Sequence, residues 1–503
     1  MSSSDIQLIH QKALECSKTD PAKAIAYYEQ ILDICREKKK DAAVYHQELA
    51  TLYKTQRMFE LAAQSYIVVL KTLPERTVPY AMTLNEIGCC YFELKKYKEA
   101  LPYFHLICDF ARVGDAHRNI AYCYRNLNDS EGFRLCEKHL LLAKELDPTN
   151  PKTSYDLSEL CYLTKNYKQS IYWFVHSKTT DPNFMYNASF SYLALKNFAL
   201  GFKYYENRLA TNRICQQTGL KTRVEFETLD YWDGKTPCRS VLVIYEQGFG
   251  DNIQYFRFII QLAETHPNIQ FTFICNPLIH PIFRTDLVPN LTILASLDPR
   301  LISHFQYKVY TMSLPYILGI QEILPNPVSY ISLDEDCRVY WKDRMSDLKR
   351  FKIGFVYSGL LQSYLEKHIP LSAFQTLLDL PIDLICIHRK SEVETDLASV
   401  DPVLRDRLNI YEEMDLAKPF VDTIALLQNI DLLVTVDTYI VHLAGVMGVK
   451  TWLLLGNVSE WRWSTDSTAY WYSSVDILRA PKDEPLESVL GEVKTRLQGI
   501  LSR

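Results

Sequence analysis

Three short stretches from the middle of the chain onward combine residue types that could act on a charged ligand. Glu246-Gln-Gly-Phe-Gly-Asp251 joins a buried-strand pattern, Ser240 to Tyr245, to helical spacing from Asn252 to Glu264. A glycine-containing strand-to-helix turn (Glu246, Gln247, Gly248, Gly250) brings backbone close to whatever lies above it. The carboxylate of Asp251 could accept a proton from a hydroxyl, or could simply cap the helix that begins there. Val434-Thr-Val-Asp-Thr438 ends another strand and opens another helix, where free backbone N–H groups could hold a diphosphate. Asp437 or Thr438 would cap that helix. His442, about one turn further on, shares much the same face, either facing a ligand or resting as a satisfied, half-buried imidazole. Glu460-Trp-Arg-Trp463 sets Arg462 between two indoles, which suits stacking on a base or sugar and pairing with phosphate, or a packed aromatic corner. The glycine turn is only a fragment of a dinucleotide fingerprint. It has no third glycine at the required spacing and no acidic residue ending the next strand, which argues against a nicotinamide cofactor.

These stretches need a framework of alternating strands and helices. Further strands are expected at Phe271–Cys275, Leu291–Ile293 and Lys308–Tyr310. A linker from about Gln321 to Leu348 carries Pro325, Pro327 and Asp334-Glu-Asp336, read as a solvated turn. The pattern then restarts, with strands at Phe351–Tyr357, Leu384–Ile387, Leu432–Val436 and Thr451–Leu455. Helices are expected at Ser372–Leu380, Thr423–Gln428, Tyr439–Met447 and about Pro485–Leu501. Such alternation implies parallel sheets covered on both faces, here as two consecutive Rossmann-like units with a cleft between them.

The N-terminal region has a different period. A small residue followed four positions later by an aromatic recurs at Ala24/Tyr28, Ala62/Tyr66, Ala100/Phe104, Ser170/Phe174 and Gly201/Tyr205, with Gly132/Cys136 as a degenerate member. The spacing straddles the ~34-residue tetratricopeptide (TPR) repeat. Ala50, Gly88, Ser158 and Ser189 precede these small residues by a constant offset, and Pro74 and Pro182 follow where a second helix should stop. Small residues let two helices approach and the aromatic fills the adjoining groove, so an α-helical TPR solenoid is expected. Its concave face would hold a protein or peptide ligand.

Composition narrows the classes further. The 503 residues are 48% hydrophobic and 23% charged, and 55 basic against 60 acidic residues give a net charge of −5. That argues against a phosphate-neutralising nucleic-acid binder and a basic membrane-surface protein. The thirteen cysteines show no C-x-x-C pair, so reduced, mostly buried thiols are expected instead of disulfides or zinc. The opening Met1-Ser-Ser-Ser-Asp5 lacks a basic segment followed by an apolar core, and no apolar run approaches the ~20 residues of a membrane span. An intracellular, soluble, cytoplasmic protein is the expectation.

Taken in order, Gly201-Phe-Lys-Tyr-Tyr-Glu206-Asn-Arg208, Trp232-Asp-Gly234, Glu246-Gln-Gly-Phe-Gly-Asp-Asn-Ile-Gln-Tyr-Phe-Arg257, Val436-Asp-Thr438 with His442-Leu-Ala-Gly445, Trp452-Leu-Leu-Leu455 and Glu460-Trp-Arg-Trp463 resemble tetratricopeptide-repeat glycosyltransferases of bacterial type. These are related in architecture to the protein O-GlcNAc transferase group and, in the α/β half, to the heptosyltransferases. The resemblance covers roughly Gly201 to Arg479, plus the repeats in general style. It implies the glycosyltransferase B (GT-B) arrangement, with acceptor toward the first Rossmann-like domain and nucleotide-sugar toward the second, and inverting, metal-independent transfer without a cofactor. By this resemblance Asp251 is the general base, and Ser358, Gly359, Asp437, Thr438, His442 and Arg462 are the candidates to bind the donor, with Lys367 as a stand-in where the family has arginine. The implied domains are 1–212 (repeats), 213–325 and 326–503. The last hairpin, with Tyr205, Glu206 and Arg208, belongs to both patterns, so the array is expected to dock rigidly on the first α/β domain with its concave face continuous with the cleft.

Two departures stand out. Where the family has Asn-Pro and an arginine-bearing stretch, this chain has Leu360-Leu-Gln-Ser-Tyr-Leu-Glu-Lys-His-Ile-Pro-Leu371, leaving Lys367 or His368 for the cationic role, and Lys lacks the fork of Arg. Tyr439 stands where a small residue is expected, beside the phosphate site. His388-Arg-Lys390 could add compensating positive charge. The alternative function is therefore a non-catalytic adaptor with a degenerate transferase-like half.

Overall fold

The computed structural model describes residues 3–39, 41–127, 129–210, 226, 228–325, 329–359, 367–416, 419–456, 458–481 and 484–502. Two compact units emerge: residues 1–164 with 175–177, and residues 165–174 with 178–503. No described helix is long and apolar enough to cross a membrane, and the described cysteines are free thiols.

The first unit contains α1 (Ser3–Cys16), α2 (Pro21–Lys38), α3 (Ala43–Thr55), α4 (Phe59–Leu70), α5 (Val78–Glu93), α6 (Tyr97–Cys108), α7 (Gly114–Leu127), α8 (Ser130–Leu146) and α9 (Pro151–Leu163). Successive helices pair as hairpins, consistent with a tetratricopeptide-type array. The small residues sit where the helices touch: Ala24, Ala50, Ala62 and Ala100 are wholly buried. At Gly88 an added Cβ would lie 2.6 Å from the ring of Phe104, so only glycine admits that aromatic at this distance. The turn between paired helices is made by a cation in the left-handed region, Arg57 (φ 60°) and Lys95 (φ 59°), where glycine is the default. Each turn closes with a hydrogen bond back to the aromatic of the first helix, Met58 N–H to Tyr53 O (2.8 Å) and Lys96 N–H to Tyr91 O (2.9 Å). A positive side chain at a helix C-terminus also suits the helix dipole.

α10 (Tyr167–Ser177) contributes to both units, and α11 (Pro182–Ala194) with α12 (Phe198–Tyr205) belongs to the second. Pro182 starts α11 under an Asp181 cap. The last hairpin is thus one compact unit with the α/β region, and its turn repeats the device of the array with Lys196 at φ 58°.

The α/β region holds two all-parallel sheets. The first has β1 (Asp230–Tyr231), β2 (Ser240–Ile244), β3 (Gln270–Ile274), β4 (Leu291–Leu294) and β5 (Tyr307–Tyr310), in the order β4-β3-β2-β5-β1. The second has β6 (Phe351–Val356), β7 (Ile382–Cys386), β8 (Leu408–Asn409), β9 (Leu432–Val436), β10 (Thr451–Leu455) and β11 (Val475–Arg479), in the order β8-β7-β6-β9-β10-β11. Central strands are mostly apolar, as sheets covered on both faces require: Val241 to Ile244 are fully buried. The helices are α13 (Phe249–Thr265), α14 (Leu314–Ile317), α15 (Glu335–Arg344), α16 (Lys390–Ser399), α17 (Pro402–Arg407), α18 (Val421–Leu427), α19 (Tyr439–Met447) and α20 (Leu490–Leu501).

Several sequence expectations are revised. The stretch read as a linker contains α15, and Asp334 is its cap, accepting from Cys337 N–H at 2.9 Å; a short polar helix carries little apolar periodicity to announce it. Residues expected as a helix over Ser372–Leu380 form 3₁₀ turns at Leu371–Leu377. The crossovers from β3 to β4 and from β4 to β5 run through single 3₁₀ segments, His280–Ile282 and Pro299–His304.

Candidate functional site

In doubly wound sheets ligands gather beyond the carboxyl ends of strands, where the winding reverses. The first sheet reverses between β2 and β5, the second between β6 and β9. The glycine turn follows β2. Ser358-Gly359 follows β6, and Asp437-Thr438 follows β9.

The crevice of the first sheet is filled from within. Glu246 is fully buried, and its carboxylate accepts from the Met312 N–H beyond β5 at 3.0 Å. Arg208, just past α12 and likewise fully buried, donates to both Glu246 oxygens, Nε at 3.1 Å and Nη2 at 2.5 Å. It also reaches Glu206 at 2.6 Å and Ser313 at 2.8 Å. Burial alone would disfavour the guanidinium charge, but Glu246 and Glu206 outweigh it and hold the group firmly protonated. The sequence pattern includes Arg208 without assigning it this partner.

That network fixes the glycine turn. Asn252 Nδ2 donates to Glu246 O (3.0 Å) and Gly248 O (2.7 Å), and Gln247 Nε2 donates to the Tyr205 hydroxyl (2.7 Å). The left-handed residue of the turn is Gln247 (φ 63°), not a glycine. Glycine is needed at 250 for a different reason: a Cβ there would lie 2.8 Å from His442 Cδ2 and 3.3 Å from Tyr439 Cα. The starts of α13 and α19, one from each sheet, therefore pack directly on one another.

Asp251 performs the capping role and has a further partner. Its carboxylate accepts from Gly248 N–H at 3.0 Å, satisfying one free donor at the start of α13, and it forms an ion pair with Arg462. Burial raises its pKa against the opposing pull of Arg462. A fifth of the side chain stays exposed, so a hydroxyl can still reach it.

Arg462 is the hub. Nε donates to Gln254 Oε1 at 2.9 Å, Nη1 to Glu460 at 2.5 Å, and Nη2 to Asp251. Glu460 in turn lies 3.5 Å from Lys367 Nζ, which sits 3.0 Å from Asp437 Oδ2. Acid and base alternate along this string, Asp251, Arg462, Glu460, Lys367, Asp437. Burial works against the Lys367 charge, yet Asp437 and Glu460 more than compensate and raise its pKa. Gly359 makes room at the other end: an added Cβ would meet the Thr438 methyl at 2.9 Å. Ser358 pairs with His368 as an isolated antiparallel bridge, and Gly359 N–H donates to Lys367 O at 2.8 Å. Leu360 to Glu366 lie outside the described residues.

Thr438, not Asp437, caps α19, accepting from Ile440 N–H at 3.3 Å. His442 takes the plainer of its two readings. Its Nδ1 is 3.0 Å from the Tyr472 hydroxyl and its ring stacks on Trp463 at 5.4 Å. Burial, reinforced by Arg462, drives its pKa down to about 3, so it is neutral near pH 7. Trp461 and Trp463 are buried, with the Arg462 guanidinium over the Trp461 ring at 5.0 Å, which is the packed corner. Tyr439 packs edge-on against Phe420 (4.9 Å) and Phe249 (6.3 Å). Phe420 holds φ 67°, a left-handed conformation that a bulky residue adopts at a cost. Of His388-Arg-Lys390, Arg389 pairs with Glu392, which also lies 3.8 Å from His388 Nδ1, and Lys390 pairs with Glu412, so neither of these carboxylates is a member of the string.

The structure thus gathers Asp251, Arg462, Lys367, Asp437, Thr438, Ser358 and Gly359 around one line of charge. It leaves His442, Trp461 and Trp463 in the packing beneath. Sequence reasoning quoted Glu460 within a motif but gave it no role, although it alone among the described residues touches both cations.

No protein-family model matches the chain, and a search of curated proteins finds no match. Among solved structures, a glycosyl transferase family 9 protein from Veillonella parvula is 13% identical, over 55% of this chain and 99% of that one, with a TM-score of 0.39. MamA from Desulfovibrio magneticus RS-1 is 18% identical, over 34% and 92%, with a TM-score of 0.29. YrrB, described as a TPR protein with an unusual peptide-binding site, is 19% identical, over 35% and 89%, at 0.27. The neighbours therefore include both helical-repeat proteins and a glycosyltransferase, at scores too low to assign a family.

Proposed function

We propose that this chain is a GT-B glycosyltransferase that moves a sugar from a nucleotide-sugar to a protein or glycan acceptor presented by its helical array. The observation that carries the reading is the convergence of both switch-point loops on the string Asp251, Arg462, Glu460, Lys367 and Asp437. In this reading the start of α19, with Lys367 and Arg462, takes up the charge of the departing nucleoside diphosphate. Asp251 accepts the acceptor hydroxyl proton as oxygen attacks the anomeric carbon and the sugar–phosphate bond breaks, inverting that centre. Burial raises the Asp251 pKa, which makes its ionised form a stronger base.

A second reading is a non-catalytic adaptor. The observation favouring it is that each candidate cation already has a protein carboxylate as partner. Calorimetry with UDP-, GDP- and ADP-linked sugars separates the two. The transferase reading expects binding to one class, lost in Lys367→Met, and Asp251→Asn should abolish transfer while donor affinity holds. Binding to none of the three classes, by wild type and by Glu460→Gln alike and with the fold intact, rejects it in favour of the adaptor.

A further inference from the structure

We infer that Glu460 is a built-in competitor for the phosphate site, a carboxylate held between Lys367 and Arg462 that a nucleoside diphosphate must displace to bind. The inference rests on the transferase reading above and names what regulates its donor site.

Glu460 is the N-cap residue of the 3₁₀ turn Trp461–Trp463, which immediately follows the loop after β10. Its two oxygens go to different cations, Oε2 to Arg462 and Oε1 to Lys367. Each cation has one other carboxylate, Asp251 for Arg462 from the first sheet and Asp437 for Lys367 from the second. Those two are the more constrained: Asp251 also accepts from the Gly248 N–H, and Asp437 is buried just past the end of β9. Glu460 is the bridging member and one of the more exposed, at 23%, against 8% for Arg462 and 13% for Lys367. It can swing toward solvent while the cations stay in place.

Charge decides the matter. Three carboxylates face two cations, so the string carries surplus negative charge before any ligand arrives. A diphosphate brought against that surplus is repelled at close range, where each unit charge counts heavily in a partly dry site. Once Glu460 turns out, both cations have a free valence directed at the place its carboxylate held. Phosphate oxygens then substitute for carboxylate oxygens on the same donors.

The test measures binding of inorganic pyrophosphate, UDP, GDP and ADP to the full chain by calorimetry, for wild type, Glu460→Gln and Glu460→Asp. Glu460→Gln removes the charge and keeps the shape; it should bind the preferred diphosphate about tenfold tighter or more. Glu460→Asp, too short to span both cations, should fall between the two. Lys367→Met placed in the Glu460→Gln background should abolish the gain. Equal or weaker diphosphate binding by both Glu460 variants, in a chain whose wild type does bind, overturns the competitor role and leaves the transferase reading standing. Failure of wild type and both variants to bind any of the four ligands overturns the transferase reading and this inference with it. Glu460→Asp keeps the charge and serves as the arbiter if Glu460→Gln melts early.

Discussion

The direct packing of α13 on α19 can be tested at a single atom, through Gly250→Ala. The backbone at Gly250 is not left-handed, so alanine meets no conformational penalty there. In the first turn of a helix it should gain roughly 0.4–1 kcal/mol by restricting the unfolded chain. Against that gain, the new Cβ would lie 2.8 Å from His442 Cδ2, 3.5 Å from His442 Nε2 and 3.3 Å from Tyr439 Cα. None of these atoms yields easily. The imidazole is stacked on Trp463 and bonded to Tyr472, and the Tyr439 Cα is helix backbone. Relief requires the two helices to separate by several tenths of an ångström, and overpacking of this kind costs about 1–3 kcal/mol. The expected net effect is a loss of about 1–2 kcal/mol, read from urea unfolding of the full chain. A double-mutant cycle sharpens the test: in a His442→Ala background the cavity accepts the new methyl, so Gly250→Ala should become neutral or stabilising. If Gly250→Ala stabilises the otherwise intact protein, and its effect adds to that of His442→Ala without coupling, the close approach of the two sheets' helices is wrong.

Two other perturbations address the buried charges. Arg208→Met leaves Glu246 buried and without its cation, at a cost of about 3–5 kcal/mol, and Arg208→Met with Glu246→Gln should recover part of it; a loss below about 1 kcal/mol in the single variant would show that the pair is solvated. His442, with its folded pKa driven down to about 3 against an ordinary 6.5, remains neutral in the fold while the unfolded chain takes up a proton. Its contribution is therefore complete above about pH 6.5 and is lost progressively as pH falls toward 3. Asp251, with a raised pKa, acts in the opposite sense, its contribution falling as pH rises from about 4 through its folded pKa. Thermal melts from pH 7.5 down to 4.5 should show a shallower acid decline for His442→Asn than for wild type; parallel curves would place a charged or exposed imidazole in the native state.

Local patterns in the chain determined the elements. A small residue and an aromatic one turn apart are enough to specify close-packed helix pairs, so Ala24/Tyr28, Ala62/Tyr66 and Ala100/Phe104 announced their hairpins, and all six residues are buried. Apolar runs such as Val241 to Ile244 and Leu432 to Val436 likewise marked strands buried on both faces. Both signals depend only on spacings of a few residues, set by the geometry of helix and strand. The turns were less legible, because Arg57, Lys95 and Gln247 occupy left-handed positions where glycine would have been the marker. The order of strands and the pairing of charges were decided by tertiary structure alone. Asp251 and Arg462 are separated by 211 residues, and Arg208 and Glu246 by 38. Nothing local records which carboxylate each guanidinium will meet. That choice follows from how the two sheets wind and where their strand ends converge, and burial then makes each pairing obligatory, since a charge taken out of water without a partner would unfold the site that contains it.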